Sequence, residues 1–423
     1  MFTPGVFLTA TLKQHARGDS VSRILEQAFN AVEPGAVVKR YLREHPIPKN
    51  KRVFAFGLGK AACAMTDALA DTVSLRDALI ITKHASQLTS LNATVIEGNH
   101  PVPGDSSLAA GRLALEFVSR LSHDDLLICL ISGGGSALMT APVIPLADLQ
   151  SLTSELLASG ARINEINTIR RHLDALKGGG LAQAANGAQI ISLILSDVVG
   201  DSIEAIASGP TVPDPSTRED AIAVLRKYKL EQSIEIKLRE TVKPDAQVLE
   251  RVQNHVIGSN LMALKAAETQ AKQEGFSAKL INDKLQGEAR EAGHQLALDL
   301  KLQLQTRQRP FCLLAGGETT VTLKGSGRGG RNQELVLGAV DGLRDLQDVM
   351  FISIATDGED GPTDAAGALA TNESAIKAES LGMKTADFLA NNNAYAFFDK
   401  LGDLIKTGST GTNVNDIVLC FAF

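Results

Sequence analysis

Short clusters of glycine and charged residues follow apolar runs of strand length along this 423-residue chain. The clearest cluster is Ser132-Gly133-Gly134-Gly135-Ser136, which comes directly after an apolar run and before a helical pattern. Glycine permits the positive φ values that turn consecutive backbone N–H groups towards one point, and a helix N-terminus adds a partial positive charge. A plain tight turn is the alternative, but three consecutive glycines cost conformational entropy that such a turn rarely needs. The cluster therefore predicts a phosphate or carboxylate site.

Two cations stand beside glycine-rich loops. Lys60 follows Gly57 and Gly59 in a loose match to the dinucleotide fingerprint GxGxxG/A. Arg331 opens a helical pattern directly after the glycine-rich stretch 324–330. An ammonium can reach a transferring phosphoryl group, and a guanidinium holds phosphate or carboxylate at two points. A solvated lysine and an exposed arginine hairpin are the alternative interpretations.

Carboxylates end three other apolar runs. Asp197 and Asp357 each follow a run closely, and Glu318 follows one through Gly316 and Gly317. A hard cation such as Mg²⁺ takes oxygen ligands, and a hydroxyl nucleophile needs a base. We therefore predict Asp197, Asp357 and Glu318 as candidate magnesium ligands, and one of the two aspartates as the base; the residues alone leave open which aspartate takes which role.

Other polar residues have simpler interpretations. Asp201 and Asp364 stand before helical patterns and are predicted to be N-caps. Arg170 and its basic neighbours fit the favourable interaction of cations with a helix C-terminus. His100 lies between a predicted strand and the turn that begins at Pro101, which suits a substrate contact and a hydrogen-bonded turn residue equally well.

Composition excludes several classes of partner. The net charge of −6, the absence of tryptophan and the presence of only three tyrosines argue against nucleic acid. No apolar stretch approaches the length of a membrane span. The four cysteines are too widely spaced for a redox or zinc motif and are interpreted as thiols in a reducing compartment. We expect a cytoplasmic protein without nucleic-acid or membrane partners.

The order of the elements predicts an α/β protein with two domains. Continuous apolar runs that alternate with helical patterns are typical of parallel strands buried on both faces. We predict a first domain, 1–235, with N-terminal helices, a Rossmann-like doubly wound sheet and a helical insertion near 145–187, and a second α/β domain, 236–423. The insertion can act as a lid or as a homodimer surface. Ligands of such sheets collect at the carboxyl ends of the strands, where the clusters lie.

Eight blocks in this order resemble the class II glycerate kinases, the glycerate 2-kinase family whose C-terminal portion is called the MOFRL domain. The blocks are GLGKAACAM (57–65), GNHPVPGDS (98–106), ISGGGSALM (131–139), INTIRRHLDALKGGGLA (166–182), LSDVVGDSIEAIASGPTVPD (195–214), GGETTVTLKGSGRGGRNQEL (316–335), ATDGEDGPTDAAGA (355–368) and TGSTGTNVND (407–416). Gly104, Asp174 and Ser409 depart from the residues expected in related sequences.

The resemblance implies transfer of the γ-phosphoryl group of ATP to the 2-hydroxyl of glycerate, giving 2-phosphoglycerate. It also implies a cleft between the Rossmann-like domain and a mixed-sheet MOFRL domain, whose last strand is free to pair with either. Lys60, Asp197 and Arg331 are similar to the family's functional residues, and His100 and Arg331 are assigned to the substrate. The nucleotide is assigned to Gly57, Gly59, Ser132, Gly133, Gly134, Gly135, Ser136, Gly316, Gly317 and Asn332, with Mg²⁺ as cofactor.

Two other functions compete with this one. An NAD(P)-dependent hydroxypyruvate reductase would use the Gly57 fingerprint, with Lys60 or His100 as proton donor. That fingerprint needs an acidic residue after the next strand, where this chain has Thr82-Lys83-His84. A carboxylate sensor without catalysis is the third interpretation, and it leaves the lysine, arginine and aspartates without a purpose.

Overall fold

The computed structural model describes residues 1–86, 88–89, 93–230 and 237–423. It divides into two compact units, one formed by Met1–Glu33 with Gly258–Phe423 and the other by Pro34–Ile257. The boundary predicted at 235/236 lies outside the described residues. The division differs from the predicted domains in that the first 33 residues pack with the C-terminal part of the chain.

The N-terminal segment is helical, as its periodicity predicts. It contains a 3₁₀ helix at Pro4–Phe7, α1 at Ala10–Gln14 and α2 at Gly18–Asn30. Helix α2 has an apolar face, including Ile24, Leu25 and Phe29, that is fully buried. That face packs on α11 (Asn260–Gln273) in the same unit.

The Pro34–Ile257 unit is built on a parallel sheet of six strands in the order β3-β2-β1-β4-β5-β6. The strands are β1 (Arg52–Leu58), β2 (Leu75–Thr82), β3 (Thr94–Glu97), β4 (Asp125–Ile131), β5 (Gln189–Leu195) and β6 (Val252–Gly258). The helices are α3 (Pro34–Glu44), α4 (Ala62–Ala70), α5 (Asp105–Ser119), α6 (Gly135–Leu138), α7 (Leu146–Ala158), α8 (Ile163–His172), α9 (Gly180–Ala184) and α10 (Arg218–Lys227). This strand order is that of the Rossmann fold, and the direction of winding reverses between β1 and β4.

Every residue of β4 is buried, because helices cover both faces of a parallel sheet. Its apolar side chains join a core that includes Phe56, Leu58 and Phe117. Helices α7 and α8 form the predicted insertion and share a smaller core with α10, which includes Leu152, Ile169 and Leu225.

The second unit contains a mixed sheet of six strands in the order β11-β10-β9-β12-β8-β7. Its strands are β7 (Ser277–Leu285), β8 (Phe311–Gly317), β9 (Val349–Ala355), β10 (Gly367–Thr371), β11 (Leu404–Ile405) and β12 (Asp416–Ala422). Its further helices are α12 (Ala289–Gln303), α13 (Arg331–Leu343), α14 (Ser374–Ser380), α15 (Thr385–Ala390) and α16 (Ala394–Leu401). Strand β12 is antiparallel to both β8 and β9, so the last strand pairs within its own unit.

All the strands predicted from apolar runs are confirmed, but one belongs to a different sheet. The predicted second domain, 236–423, includes the apolar run Val256-Ile257, which instead lies in β6, the sixth strand of the first sheet. Strand β7 was not predicted because it is an edge strand with alternating exposed residues such as Ser277 and Lys279. Strand β10 was not predicted because its small residues, Gly-Ala-Leu-Ala-Thr, carry little β propensity.

All four cysteines are buried and unbridged, as expected for core thiols. Within the described ranges, no helix is both long enough and apolar enough to cross a bilayer.

Candidate active site

The two glycine loops of the first sheet lie at its switch point, after the adjacent strands β1 and β4. Leu58 pairs with Ile131 in register at the ends of these strands. The loops then bond to each other, since Lys60 N donates to Gly133 O (3.0 Å) and Ala61 N donates to Ser132 Oγ (3.0 Å). Ligands of open α/β sheets bind in this crevice.

The loop from Ser132 to Ser136 presents unused backbone donors. Among the described residues, the N–H groups of Gly133, Gly134, Gly135 and Ser136 donate to no protein oxygen. Gly134 adopts the left-handed conformation (φ 86°). Four consecutive free N–H groups are what an anion-binding loop requires. Helix α6 that follows has only four residues, so its dipole adds less than predicted and the loop itself forms the site.

The loop from Gly57 to Ala61 differs, because its donors are used inside the protein. Gly59 N donates to Ile81 O (3.0 Å), and the N–H groups of Lys60 and Ala61 bond the other loop. A Cβ on Gly59 would lie 2.3 Å from Ser132 O. Gly59 therefore allows close packing of the two loops, whereas a Cβ on Gly57 would lie 2.9 Å from Thr66 Oγ1. Their assignment to the cofactor stays a prediction.

Lys60, His100 and Asp197 surround the free N–H groups. A Cβ on Gly134 would lie 3.5 Å from Lys60 Cγ and 3.3 Å from His100 Cδ2. A Cβ on Gly133 would lie 2.0 Å from Asp197 Oδ2. The structure therefore brings these three side chains and the glycine loop together, and their roles stay predictions.

The charge of His100 follows from this setting. Burial lowers its pKa, and the positive charges of Lys60 and Lys83 lower it further. His100 is therefore neutral at pH 7 and suits a hydrogen bond to a ligand rather than charge compensation. Within the described residues, Lys60 has no ion-pair partner, which leaves its ammonium available to an anion.

In the second unit, Arg331 is held by two carboxylates. Its Nε and Nη2 donate to Asp416 Oδ2 (2.6 Å) and Oδ1 (3.0 Å), and its Nη1 donates to Glu318 Oε1 (2.8 Å). Burial lowers the pKa of Arg331, but Asp416 and Glu318 outweigh it and raise the pKa overall. Of the five guanidinium N–H groups, three are used, so two remain for a ligand (5 − 3 = 2).

Asp416 was not predicted as a site residue. The predicted carboxylates stand at the ends of apolar runs, whereas Asp416 stands at the beginning of one. Because β12 is antiparallel to β8 and β9, its first residue lies opposite Gly317 and Ala355, the last residues of those strands. A prediction that the final strand is antiparallel to its neighbours would have placed Asp416 at the same edge of the sheet as the predicted site residues.

Asp360 caps helix α13. It accepts from Asn332 N (3.0 Å) and Gln333 N (2.9 Å) and is almost fully buried. Burial raises its pKa to about 7, against the effect of those two N–H groups, and Asp416 adds to the rise. Asn332, predicted to contact the nucleotide, is buried and accepts a hydrogen bond from Ser353 Oγ (2.6 Å). Its side chain therefore holds the start of α13.

The predicted N-caps are wrong. No helix begins after Asp364, which accepts from Tyr395 Oη (2.7 Å) and pairs with Lys406. Asp201 lies in a turn with φ 56°, and the next element is the 3₁₀ helix Ile206–Ser208.

The glycine-rich stretch 324–330 is held in place by hydrogen bonds to a distant part of the chain. Asn391 and Asn392 accept hydrogen bonds from the backbone of Lys324, Gly325 and Ser326. The guanidinium of Arg328 packs on the Tyr395 ring at 4.4 Å from its centre.

The predicted metal ligands form no complete protein cage. Asp357 Oδ1 accepts from Glu359 N (3.1 Å), and Glu318 is paired with Arg331. In the part of the chain that the structure describes, no group of three His, Cys, Asp or Glu side chains is placed to hold a metal. Gly316 and Gly317 serve packing, since a Cβ on either would lie 2.2 Å from Asn260 Oδ1 or Leu285 O, respectively.

Comparisons with known proteins identify relatives of the whole chain. Residues 20–243 match the domain of unknown function DUF4147, and residues 311–416 match the MOFRL family. The chain is 40% identical over 404 residues to the D-glycerate 2-kinase of Thermotoga maritima, covering 94% of this chain and 96% of that protein. It is 41% identical over 387 residues to the glycerate 2-kinase of Pyrococcus horikoshii, covering 87% of each.

A solved structure agrees with these relatives. The crystal structure of a glycerate kinase from Thermotoga maritima superposes with a TM-score of 0.89 at 39% identity, covering 95% of this chain and 98% of that one. A protein of Agrobacterium vitis named as a putative hydroxypyruvate reductase is 37% identical over 413 residues, covering 93% of this chain and 92% of that protein.

Proposed function

The chain belongs to the glycerate 2-kinase family with a C-terminal MOFRL domain, and from this membership we propose that it transfers the γ-phosphoryl group of ATP to the 2-hydroxyl of D-glycerate. The products are 2-phosphoglycerate and ADP. One observation carries the chemistry: four consecutive free N–H groups in the loop from Gly133 to Ser136, with Lys60 beside them. Such a loop suits phosphate oxygens.

Phosphoryl transfer depends mainly on positioning and on neutralising the charge of the phosphate oxygens. We assign the phosphates to the loop N–H groups and to the ammonium of Lys60. His100, neutral at pH 7, is assigned a hydrogen bond to substrate. Arg331 keeps its predicted role as a substrate-binding cation, offering the two N–H groups that Asp416 and Glu318 leave unused.

Asp197 is the proposed base. Its carboxylate lies against Gly133, beside the anion loop, where it can accept the proton of an attacking hydroxyl. The same position suits a magnesium ligand, since Mg²⁺ bound to a nucleotide needs only one or two carboxylates besides phosphates and water. When bound, Mg²⁺ neutralises charge on the phosphate oxygens. Asp357 and Glu318 stay proposed as further ligands.

The reductase alternative has less support. A dinucleotide fold binds pyrophosphate through the N–H groups of its first glycine loop, and here the N–H groups of Gly59, Lys60 and Ala61 are already bonded within the protein. Strand β2 ends at Thr82 and is followed by Lys83, so the ribose-binding carboxylate is missing.

A coupled ADP-release assay with D-glycerate, ATP and Mg²⁺ tests the proposal. We expect turnover that requires all three, and phosphorus NMR should show the 2-phosphate. Lys60→Met should lower kcat by about 100-fold or more, since a cation on the transferring group is lost, while the melting temperature stays unchanged. Oxidation of NADH with hydroxypyruvate, without ADP release from D-glycerate, would contradict the proposal.

A further inference from the structure

A cavity of about 270 Å³ lies next to the anion loop, within the Pro34–Ile257 unit. Ser136 of the loop forms part of its wall, and the turn from Pro101 to Pro103, directly after His100, forms another part. Helices α7 and α8 of the insertion close it with Leu149, Leu157 and Arg170, among others. Drug-sized ligands occupy roughly 300–1,000 Å³, so this cavity suits a smaller molecule.

The charges that line the cavity do not cancel. Lys177 Nζ donates to Asp174 Oδ2 (2.6 Å) and Met139 O (3.1 Å), so its charge is compensated. Burial disfavours the charged form of Asp174, but Lys177 and the hydrogen bonds to this carboxylate outweigh burial and lower its pKa, so Asp174 is ionised. With Arg170, the three charges sum to one positive charge (+1 + 1 − 1 = +1).

Arg170 is the uncompensated cation. It is largely buried, and burial alone lowers its pKa, with no carboxylate raising it. Across the described ranges, no ion pair or hydrogen bond engages its side chain. Its neighbour Arg171 instead pairs with Asp214 (3.0 Å), and His172 Nδ1 lies 2.9 Å from Thr168 O.

The favourable interaction of a cation with the C-terminus of helix α8 does not explain why the side chain of Arg170 is largely buried. A cation near the last turn gains about 0.3–1 kcal/mol from the helix dipole at the surface, where its head group stays in water. Removing a guanidinium from water without a partner costs more than that. Arg170 is partly exposed where it lines the cavity, so an anion bound there would supply the charge compensation that the described protein residues do not.

We propose that this cavity binds the carboxylate of the acceptor, with Arg170 as its counter-ion. The inference rests on the proposed function, which supplies a three-carbon hydroxy acid as acceptor. Glycerate has seven non-hydrogen atoms, and the cavity holds the volume of about nine water molecules at ~30 Å³ each, so the acid fits with some water. The Asp174–Lys177 pair would then shape the cavity without competing for the carboxylate.

The test compares Arg170→Met and Arg170→Lys with Arg162→Met. Arg162 is an exposed cation at the start of the same helix, so its loss repeats the change in net charge outside the cavity. Arg170→Met should raise the KM for D-glycerate by about 10- to 100-fold, because a charge-assisted hydrogen bond to the substrate is lost. The KM for ATP should change by no more than about twofold. Arg170→Lys should lie between Arg170→Met and the wild type, and Arg162→Met should match the wild type.

A binding measurement separates this inference from the proposed function. Calorimetry with D-glycerate and no nucleotide should show binding to the wild type that Arg170→Met weakens. If the wild type phosphorylates no D-glycerate but still binds it through Arg170, the proposed function fails and the cavity assignment stands. If turnover is normal and Arg170→Met raises the KM for ATP, or leaves both KM values unchanged, the cavity assignment is overturned.

Discussion

Replacing Gly133 by alanine tests the position of Asp197 without touching its carboxylate chemically. The added Cβ would lie 2.0 Å from Asp197 Oδ2 and 2.5 Å from its Cγ, whereas real Cβ contacts stay beyond 3.0 Å. The carboxylate must therefore move by at least about 1 Å (3.0 − 2.0). The φ of Gly133 lies outside the left-handed region, so alanine itself fits the backbone.

The expected effect is a large loss of activity with little loss of stability. A displacement of 1 Å in a reacting group can cost about 100-fold in rate, so kcat for ADP release with D-glycerate should fall by about that factor. Glycine-to-alanine substitution in a compatible backbone stabilises by about 0.4–1 kcal/mol, which offsets part of the strain. The melting temperature should therefore change by only a few degrees.

Gly187→Ala is the matched control. Gly187 has φ 74°, and a Cβ there would meet nothing within 4 Å. Alanine in this conformation costs about 1–2 kcal/mol, so the control should lose stability and keep its kcat. Asp197→Asn should lower kcat by about 10²- to 10⁴-fold if Asp197 is the base. A Gly133→Ala enzyme with the kcat of the wild type would refute the placement of Asp197 in the reaction centre.

Two further predictions concern the second unit. Because the pKa of Asp360 is raised to about 7 from 3.8, its contribution to stability is complete below pH 3.8 and is lost as the pH rises through 7. Relative to Asp360→Asn, the wild type should lose about 2 kcal/mol between pH 5 and pH 7, since the loss of about 1.4 kcal/mol for each pH unit becomes smaller as the pH approaches 7. A difference in melting temperature that stays constant over this range would contradict the pKa. Arg331→Met should lower the free energy of unfolding by about 2–3 kcal/mol in a denaturant titration, because it leaves the buried Asp416 without its counter-ion. The double variant Arg331→Met with Asp416→Asn should recover part of this loss. Equal stability of Arg331→Met and the wild type would show that the pair contributes nothing.

The sequence predicted the first site better than the second, for a physical reason. In a parallel sheet, every strand ends at the same edge, so clusters that follow separate apolar runs must converge. Lys60, Ser132 and Asp197 come together in this way, 137 residues apart along the chain (197 − 60). The second sheet is mixed, so its site edge also holds the beginning of a strand, and Asp416 was missed.

Other failures come from features that a local pattern does not contain. The amino-acid sequence around Val256-Ile257 does not indicate which of the two sheets this strand joins. The three asparagines from Asn391 to Asn393 fix a loop more than sixty residues away in sequence. The cap of α13 comes from Asp360, which lies after the helix in the chain, whereas N-caps are sought directly before one.

The packing of α2 on α11 brings together two segments that lie more than 200 residues apart in the chain (260 − 30 = 230). During synthesis, residues 1–33 leave the ribosome first, yet the surface that buries Phe29 and Ile24 is completed only after 258–423 have been made. A fragment that starts at Gly258 would expose the face of α11 that α2 covers and the carboxylate of the next residue, Glu274, which pairs with Arg23. The DUF4147 match is continuous in sequence, but its first residues, up to Glu33, pack in the same compact unit as the MOFRL match. Cutting the chain between the two matches would therefore expose an apolar surface on each fragment.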